Sequence, residues 1–173
     1  MPERRVAIFV DGANMFYTQR NIKWHIDYKR VYEYFLKDKE KSGCYYFTAS
    51  PPAGNKEMID KYRKFRHSLI KMGYTVIDKE LREIRDRHTG EEVPKGNLDI
   101  EIVLWMITTK NDYDDLIFLG GDGDFVCVVD YLRKEGKRVI CVGDVESTAT
   151  ELQNIVNEFI DINTIRGYIE KHR

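Results

Sequence analysis

Two runs of apolar residues without polar alternation, Val6-Ala7-Ile8-Phe9-Val10 and Leu116-Ile117-Phe118-Leu119, constrain this chain most. A strand wetted on one face alternates apolar and polar residues. A continuous run is the pattern of a strand covered on both faces, as in parallel sheets. Both runs fall far short of the roughly 20 apolar residues that a membrane helix needs. Between and after them, strand-like and helix-like segments alternate. That order predicts an α/β fold with a mostly parallel sheet, and right-handed crossovers place helices on both faces.

The remaining elements follow from periodicity and punctuation. A helix is expected over 28–41 with Asp27 as its N-cap. Cys44-Tyr45-Tyr46-Phe47-Thr48 reads as a strand stopped by Pro51-Pro52, residues 55–72 as a helix, and Tyr74-Thr75-Val76-Ile77 as a strand. Residues 79–96 are charged, with Thr89-Gly90 as a tip, and fit a hairpin or extended loop. Helix 98–110 is expected to bury Ile100, Val103, Leu104 and Ile107, spaced i, i+3, i+4, i+7. Phe125, Val128, Val129 and Leu132 repeat that spacing in a helix ended by Gly136. A strand at 138–142, a helix near 148–156, a short strand at 159–162 and a terminal helix complete the order. With 173 residues and neither repeat nor Pro/Ser-rich linker, residues 1–173 are read as a single domain.

Composition narrows the classes. The formal net charge is -1, so no overall basic excess advertises nucleic acid. Between Lys56 and Lys95, however, eleven Lys or Arg stand against eight Asp or Glu. The plainer reading is a solvated helix face, the sharper one a phosphate-binding flank. Met1-Pro2-Glu3-Arg4-Arg5 leads straight into a strand, unlike a secretory signal. Cys44, Cys127 and Cys141 sit in apolar sequence without metal-type spacing, and free thiols of this kind predict a reducing cytoplasm. His25, His67, His88 and His172 are scattered and read as surface or structural residues. Phe16 and Tyr17 could stack on a base, but core packing is the simpler expectation. Ser147-Thr148 reads as a helix cap.

Function is carried by aspartates. Asp11 follows the first apolar run, in Asp11-Gly12-Ala13-Asn14, while Asp122 and Asp124 follow the other, in Gly120-Gly121-Asp122-Gly123-Asp124-Phe125. Asp99 opens a helix just before that second run. Each has a bland role as a turn former or helix-dipole partner. Parallel sheets, however, bind ligands outside the carboxyl ends of their strands, where the strand order reverses. If the two runs are neighbours, roughly 4.8 Å apart, their carboxylates converge. Carboxylate and amide oxygens suit Mg2+ or Mn2+ rather than Zn2+. Asn14 offers a neutral amide, and Lys95 a cation for a substrate phosphate.

These residues resemble the NYN domain family, specifically the LabA-like branch of the PIN-like nucleases. The resemblance runs from about residue 5 to 163, through Phe9-Val10-Asp11-Gly12-Ala13-Asn14, Lys95-Gly96-Asn97-Leu98-Asp99, Gly121-Asp122-Gly123-Asp124-Phe125, Gly136-Lys137-Arg138-Val139 and the closing segment Leu152 to Phe159. It implies a PIN-like three-layer fold and a Mg2+- or Mn2+-dependent endoribonuclease that hydrolyses phosphodiesters with a metal-activated water. By position, Asp11, Asp99 and Asp122 would be the metal carboxylates, Asp124 a further catalytic acid and Asn14 a supporting polar residue. Beside that carry-over, Asn14 and Lys95 are read from their place in the chain as substrate-binding residues, with a solvated Lys95 the plainer alternative. Single-stranded RNA would be the partner, with no membrane involved and a homodimer left open. Three positions depart from the family pattern: Trp105 stands where many relatives have a further aspartate, Gly120 where a serine is frequent, and Asn157 where an aspartate is frequent.

The competing reading is a PIN-like regulator, weak or inactive in catalysis, that binds RNA or a protein through the same acidic cleft. A haloacid-dehalogenase-like phosphatase would need an aspartate at position 13, which is Ala13. A Toprim-type enzyme would need a glutamate where Asp11 stands.

Overall fold

The structure, a computed structural model, describes residues 3–85, 90, 92–95 and 97–172, with backbone only for 82–85 and 92–95. The first apolar run forms β1 (Arg5–Asp11) and the second β6 (Asp115–Leu119), and they pair in parallel from Val6↔Asp115 to Val10↔Leu119. Successive side chains of a strand point to opposite faces. Val6, Ile8 and Val10 therefore enter one apolar cluster, while Ala7 and Phe9 enter another on the far side of the sheet. Both faces are covered, which is why the runs show no alternation.

Around this pair the chain winds both ways. α1 (Gly12–Ile22), α2 (Tyr28–Leu36), β2 (Glu40–Ser50), α3 (Lys56–Lys71) and β3 (Thr75–Glu80) extend one side. A hairpin of β4 (Arg82–Arg85) and β5 (Glu92–Lys95) leads into α4 (Asp99–Thr108). After β6 come α5 (Val126–Lys134), β7 (Arg138–Gly143), α6 (Thr150–Ile155), β8 (Glu158–Asp161) and α7 (Arg166–Ile169). The six-stranded sheet has the order β3-β2-β1-β6-β7-β8 and every pairing is parallel. The order reverses between β1 and β6, so the carboxyl ends that carry Asp11 and Asp122 flank the switch point.

Local chemistry explains several boundaries. Asp27 caps α2 by accepting from the Lys29 and Arg30 amides. Asn55 caps α3 by accepting from Met58 N–H. Gly136 takes a φ of 79° past the end of α5, a conformation that glycine adopts freely. The helix expected over 28–41 stops at Leu36. Asp38 turns left-handed at φ 57°, and Glu40 and Lys41 already belong to β2.

The largest correction concerns α4. Three of the four residues expected to be buried face outward: Ile100 is 80% exposed, Leu104 56% and Ile107 37%, while Val103 is partly buried against the core. Leu98, Ile102 and Met106 are buried instead, with Trp105 half-buried against Tyr45 and Phe47. The helix is apolar on most sides, so two stripes competed and spacing could not choose between them. Ile100→Lys is therefore expected to change stability by less than about 0.5 kcal/mol, as at other surface positions. Urea unfolding checks this, and a large loss would restore the stripe read from sequence.

Of the expectations for the cysteines and the basic cluster, only that for Cys127 changes. Cys44 and Cys141 are buried, and burial pushes both thiols up to about 12, which makes them inert. Cys127 is exposed instead. The basic cluster on α3 is a solvated face, with Lys61 near Glu57, Arg63 near Asp60 and Arg66 near Asp78.

Candidate functional site

The chain turns sharply at the end of β1. Asp11 caps α1, and its carboxylate accepts from Asn14 N–H at 3.0 Å. A Cβ on Gly12 would lie 2.4 Å from the Phe47 carbonyl oxygen and 2.7 Å from the Tyr46 ring, so only glycine allows α1 to start this close to β2. Across the switch point, a Cβ on Gly120 would lie 2.4 Å from the Phe118 ring. A serine there would require the buried Phe118 to move. Asp122 then accepts from Asp124 N–H at 3.0 Å and starts a short 3-10 turn. On the third side, Asn97 accepts from Asp99 N–H at 2.8 Å, and its amide donates to the Asp99 carboxylate at 2.6 Å. Asn97 thus orients the Asp99 carboxylate and holds the first residue of α4.

Asp11, Asn14, Tyr17, Phe47, Asp99 and Asp122 line one open cleft of about 550 Å³. Asp99, Asp122 and Asp124 each offer a carboxylate oxygen, and all three lie within 4.8 Å of one another. Ligands of an octahedral Mg2+ at about 2.1 Å stand roughly 3 to 4.2 Å apart, so small side-chain movements would suffice to share an ion. The sequence groups Asp11 with Asp99 and Asp122 as the expected metal carboxylates, with Asp124 a further acid. The geometry draws Asp124 into the trio and places Asp11 deeper, on the adjoining wall.

Electrostatics mark the same spot. Asp11 is 7% exposed, and burial pushes its carboxyl up to about 6, with the Asp99 and Asp122 charges adding to the effect and Asn14 N–H opposing it. Asp99 is also raised, first by desolvation and then by Asp122 and Asp124, against the Asn97 hydrogen bond. Elsewhere acids are neutralised: Asp114 by Arg5, Glu101 by Lys79 and Glu158 by Arg138. Among the described residues, no Lys or Arg forms an ion pair with Asp11, Asp99, Asp122 or Asp124. Crowded carboxylates with no cationic side chain paired to them among the described residues, all of them oxygen donors, fit a hard divalent cation.

Of the remaining expected residues, Asn14 lies in the cleft wall near Gly121. Lys95 ends β5, but its side chain lies outside the described residues, as does His88 altogether. Ser147-Thr148 does not cap α6. Ser147 donates to Asp144 at 2.9 Å, and Thr148 is buried beneath Gly121. Asp144 itself was overlooked, although it too follows a strand through a Gly-Asp step. Its hydrogen bonds with Ser147 and Asn163 give it a role in holding the loop. Phe16 and Tyr17 are not core residues, being 57% and 62% exposed.

Comparison with known proteins agrees with this architecture. The chain is 39% identical over 170 residues to the low amplitude and bright protein LabA of Synechococcus elongatus, covering 96% of this chain and 88% of that one. An uncharacterized protein of Methanocaldococcus jannaschii is 20% identical over 162 residues, covering 92% of this chain and 56% of that one. A Vibrio parahaemolyticus protein of unknown function, known from its crystal structure, superposes with a TM-score of 0.75 at 27% identity, covering 91% of this chain and 92% of that one. The sequence profile of the NYN domain matches residues 5–163, from the start of β1 past the last strand, and so takes in all four aspartates. The chain belongs to the NYN domain family.

Proposed function

We propose that this protein is a divalent-metal-dependent endoribonuclease that hydrolyses single-stranded RNA. One observation carries the reading: three carboxylate oxygens within 4.8 Å, beside a buried fourth acid, with no cationic side chain paired to them among the described residues. Family membership points the same way.

Asp99, Asp122 and Asp124 would hold Mg2+ or Mn2+, with Asp11 contributing from the deeper wall. A bound ion would shield the charge of the scissile phosphate and make a water more acidic. The chain's own residues do the positioning. Asn97 keeps the Asp99 carboxylate aimed, and the 3-10 turn fixes Asp122 relative to Asp124. Asp11, raised to about 6, has the strongest pull on either a proton or a cation, because both relieve the same cost of burial. The Asn14 amide would donate to a phosphate oxygen, and Lys95 would steady the backbone of the RNA. The free cysteines support a cytoplasmic location, and among the described residues no helix is long and apolar enough to cross a membrane.

The regulator reading rests on Trp105 standing where many relatives carry a further aspartate, and exposure of that ring would add to it. Trp105 is half-buried against Tyr45 and Phe47, which does not favour that role. The test is incubation with several single-stranded RNAs and Mn2+ or Mg2+, with a chelator control. Cleavage by the wild type and not by the Asp11→Asn/Asp122→Asn double variant is expected. RNA and metal binding without turnover would establish the regulator instead.

A further inference from the structure

The acidic cleft takes up only one side of α1. Asp11, Asn14 and Tyr17 face it. On the other side, Gly12 and Phe16 line a second cavity of about 620 Å³, closed by residues of α2, α3, β2 and the C-terminal segment. That volume lies within the roughly 300–1,000 Å³ of ligand pockets. Its lining includes the buried rings of Tyr28 and Tyr46, edge to face at 5.0 Å with their hydroxyls 3.5 Å apart, and Phe65 lies 5.6 Å from Tyr46. Lys171 and His172 stand at its edge.

The partition between the two hollows is thin. It consists of the Asp11–Gly12 turn against β2, where Phe47 faces the acidic side and Tyr46 and Thr48 the other. Phe16 and Tyr17 meet edge to face on its rim, ring centroids 5.5 Å apart and planes at 80°, so each offers its own face to a base. The Arg20 guanidinium lies 5.9 Å from the Phe16 centroid. α1 buries only Gly12, Met15 and Thr18, so these two rings are not needed for packing. Adjacent exposed aromatics flanked by a cation, leading from an acidic cleft to an aromatic-lined hollow, have the composition of a single-strand nucleic-acid platform.

We propose that Phe16, Tyr17 and the second cavity form a nucleobase lane that holds single-stranded RNA beside the phosphate in the acidic cleft. The position of that phosphate rests on the nuclease reading above. A base stacks on the rim aromatics, and its neighbour enters the cavity against Phe65 and Tyr46. Arg20 and Lys171 accompany the backbone. Stacking accepts any base, so the lane selects unpaired strands rather than a sequence. In a duplex the bases are paired inside and cannot reach it.

The test uses the full chain in chelator with a short fluorescein-labelled single-stranded RNA, read by anisotropy, and the same RNA carrying 2-aminopurine. Binding is expected to quench 2-aminopurine at one or two positions. Phe16→Ala and Tyr17→Ala should each weaken binding roughly tenfold, the scale of one lost base stack. Phe16→Tyr and Tyr17→Phe should restore it. Tyr168→Ala, at an exposed ring that packs against Tyr34 instead, should change nothing. Unchanged affinity in both alanine variants, or equal affinity for a duplex of the same sequence, overturns the lane. If Asp122→Asn abolishes cleavage while the alanine variants bind normally, the nuclease reading stands and the lane falls. If the alanine variants lose affinity but the wild type cleaves nothing, the lane stands and the nuclease reading falls.

Discussion

Asp122→Asn is expected to lower metal-dependent RNA cleavage roughly 100- to 1,000-fold, the several kcal/mol that a bound cation contributes to a phosphoryl transition state. Asp122 is the common member of the acidic site. It belongs to the trio with Asp99 and Asp124, and its charge is among those that raise Asp11. Asparagine keeps the oxygen that accepts from Asp124 N–H, so the 3-10 turn is retained. It removes one negative charge from a group that lacks a cationic side-chain partner among the described residues, so the melting temperature in chelator should hold or rise. Mn2+ affinity, measured calorimetrically, should fall together with activity. A variant that binds Mn2+ as tightly as the wild type and cleaves normally would remove Asp122 from the site.

The parts legible in the sequence were those where one physical requirement left one solution. β1 and β6 are buried on both faces, so their residues could only be continuously apolar, and the loops after them had to carry any chemistry. The stripe Phe125, Val128, Val129 and Leu132 is buried as its spacing indicated. α4 was misread because apolar residues lie on most of its sides, and tertiary packing rather than period selects the buried stripe. α1 gives a weak helical signal because it buries only a narrow stripe, Gly12, Met15 and Thr18, and leaves Phe16 and Tyr17 outside. The same circumstance hid the exposed pair Phe16 and Tyr17. Within the site, the convergence of Asp11 and Asp122 followed from strand order. The closeness of Asp124 to Asp99 depends on a three-residue turn whose direction no spacing rule reveals.

Asp11→Asn is expected to stabilise the metal-free protein at neutral pH by up to about 3 kcal/mol, since a carboxyl raised from 3.8 to about 6 costs roughly 1.36 kcal/mol per pKa unit once ionised. The direction follows from linkage. Below pH 3.8 the group is protonated in both states, and the stability it contributes is fully present. Between 3.8 and about 6 the unfolded chain has released the proton while the folded chain keeps it, so that stability drains away as pH rises and is gone above 6. Asp99, raised in the same direction, steepens the fall. Asparagine cannot ionise but can still cap α1, because its side-chain oxygen accepts from Asn14 N–H as the carboxylate does. Urea unfolding in chelator at pH 7 and near pH 4 checks this: the variant should lead at pH 7, and the gap should close toward pH 4. Mn2+ should then reverse the order at pH 7, since an ion bound only by the folded state stabilises the wild type by mass action and the variant much less. If the variant is less stable than the wild type at pH 7 in chelator, Asp11 is held by packing or hydrogen bonds that outweigh its burial, and the site carries no charge in need of a cation.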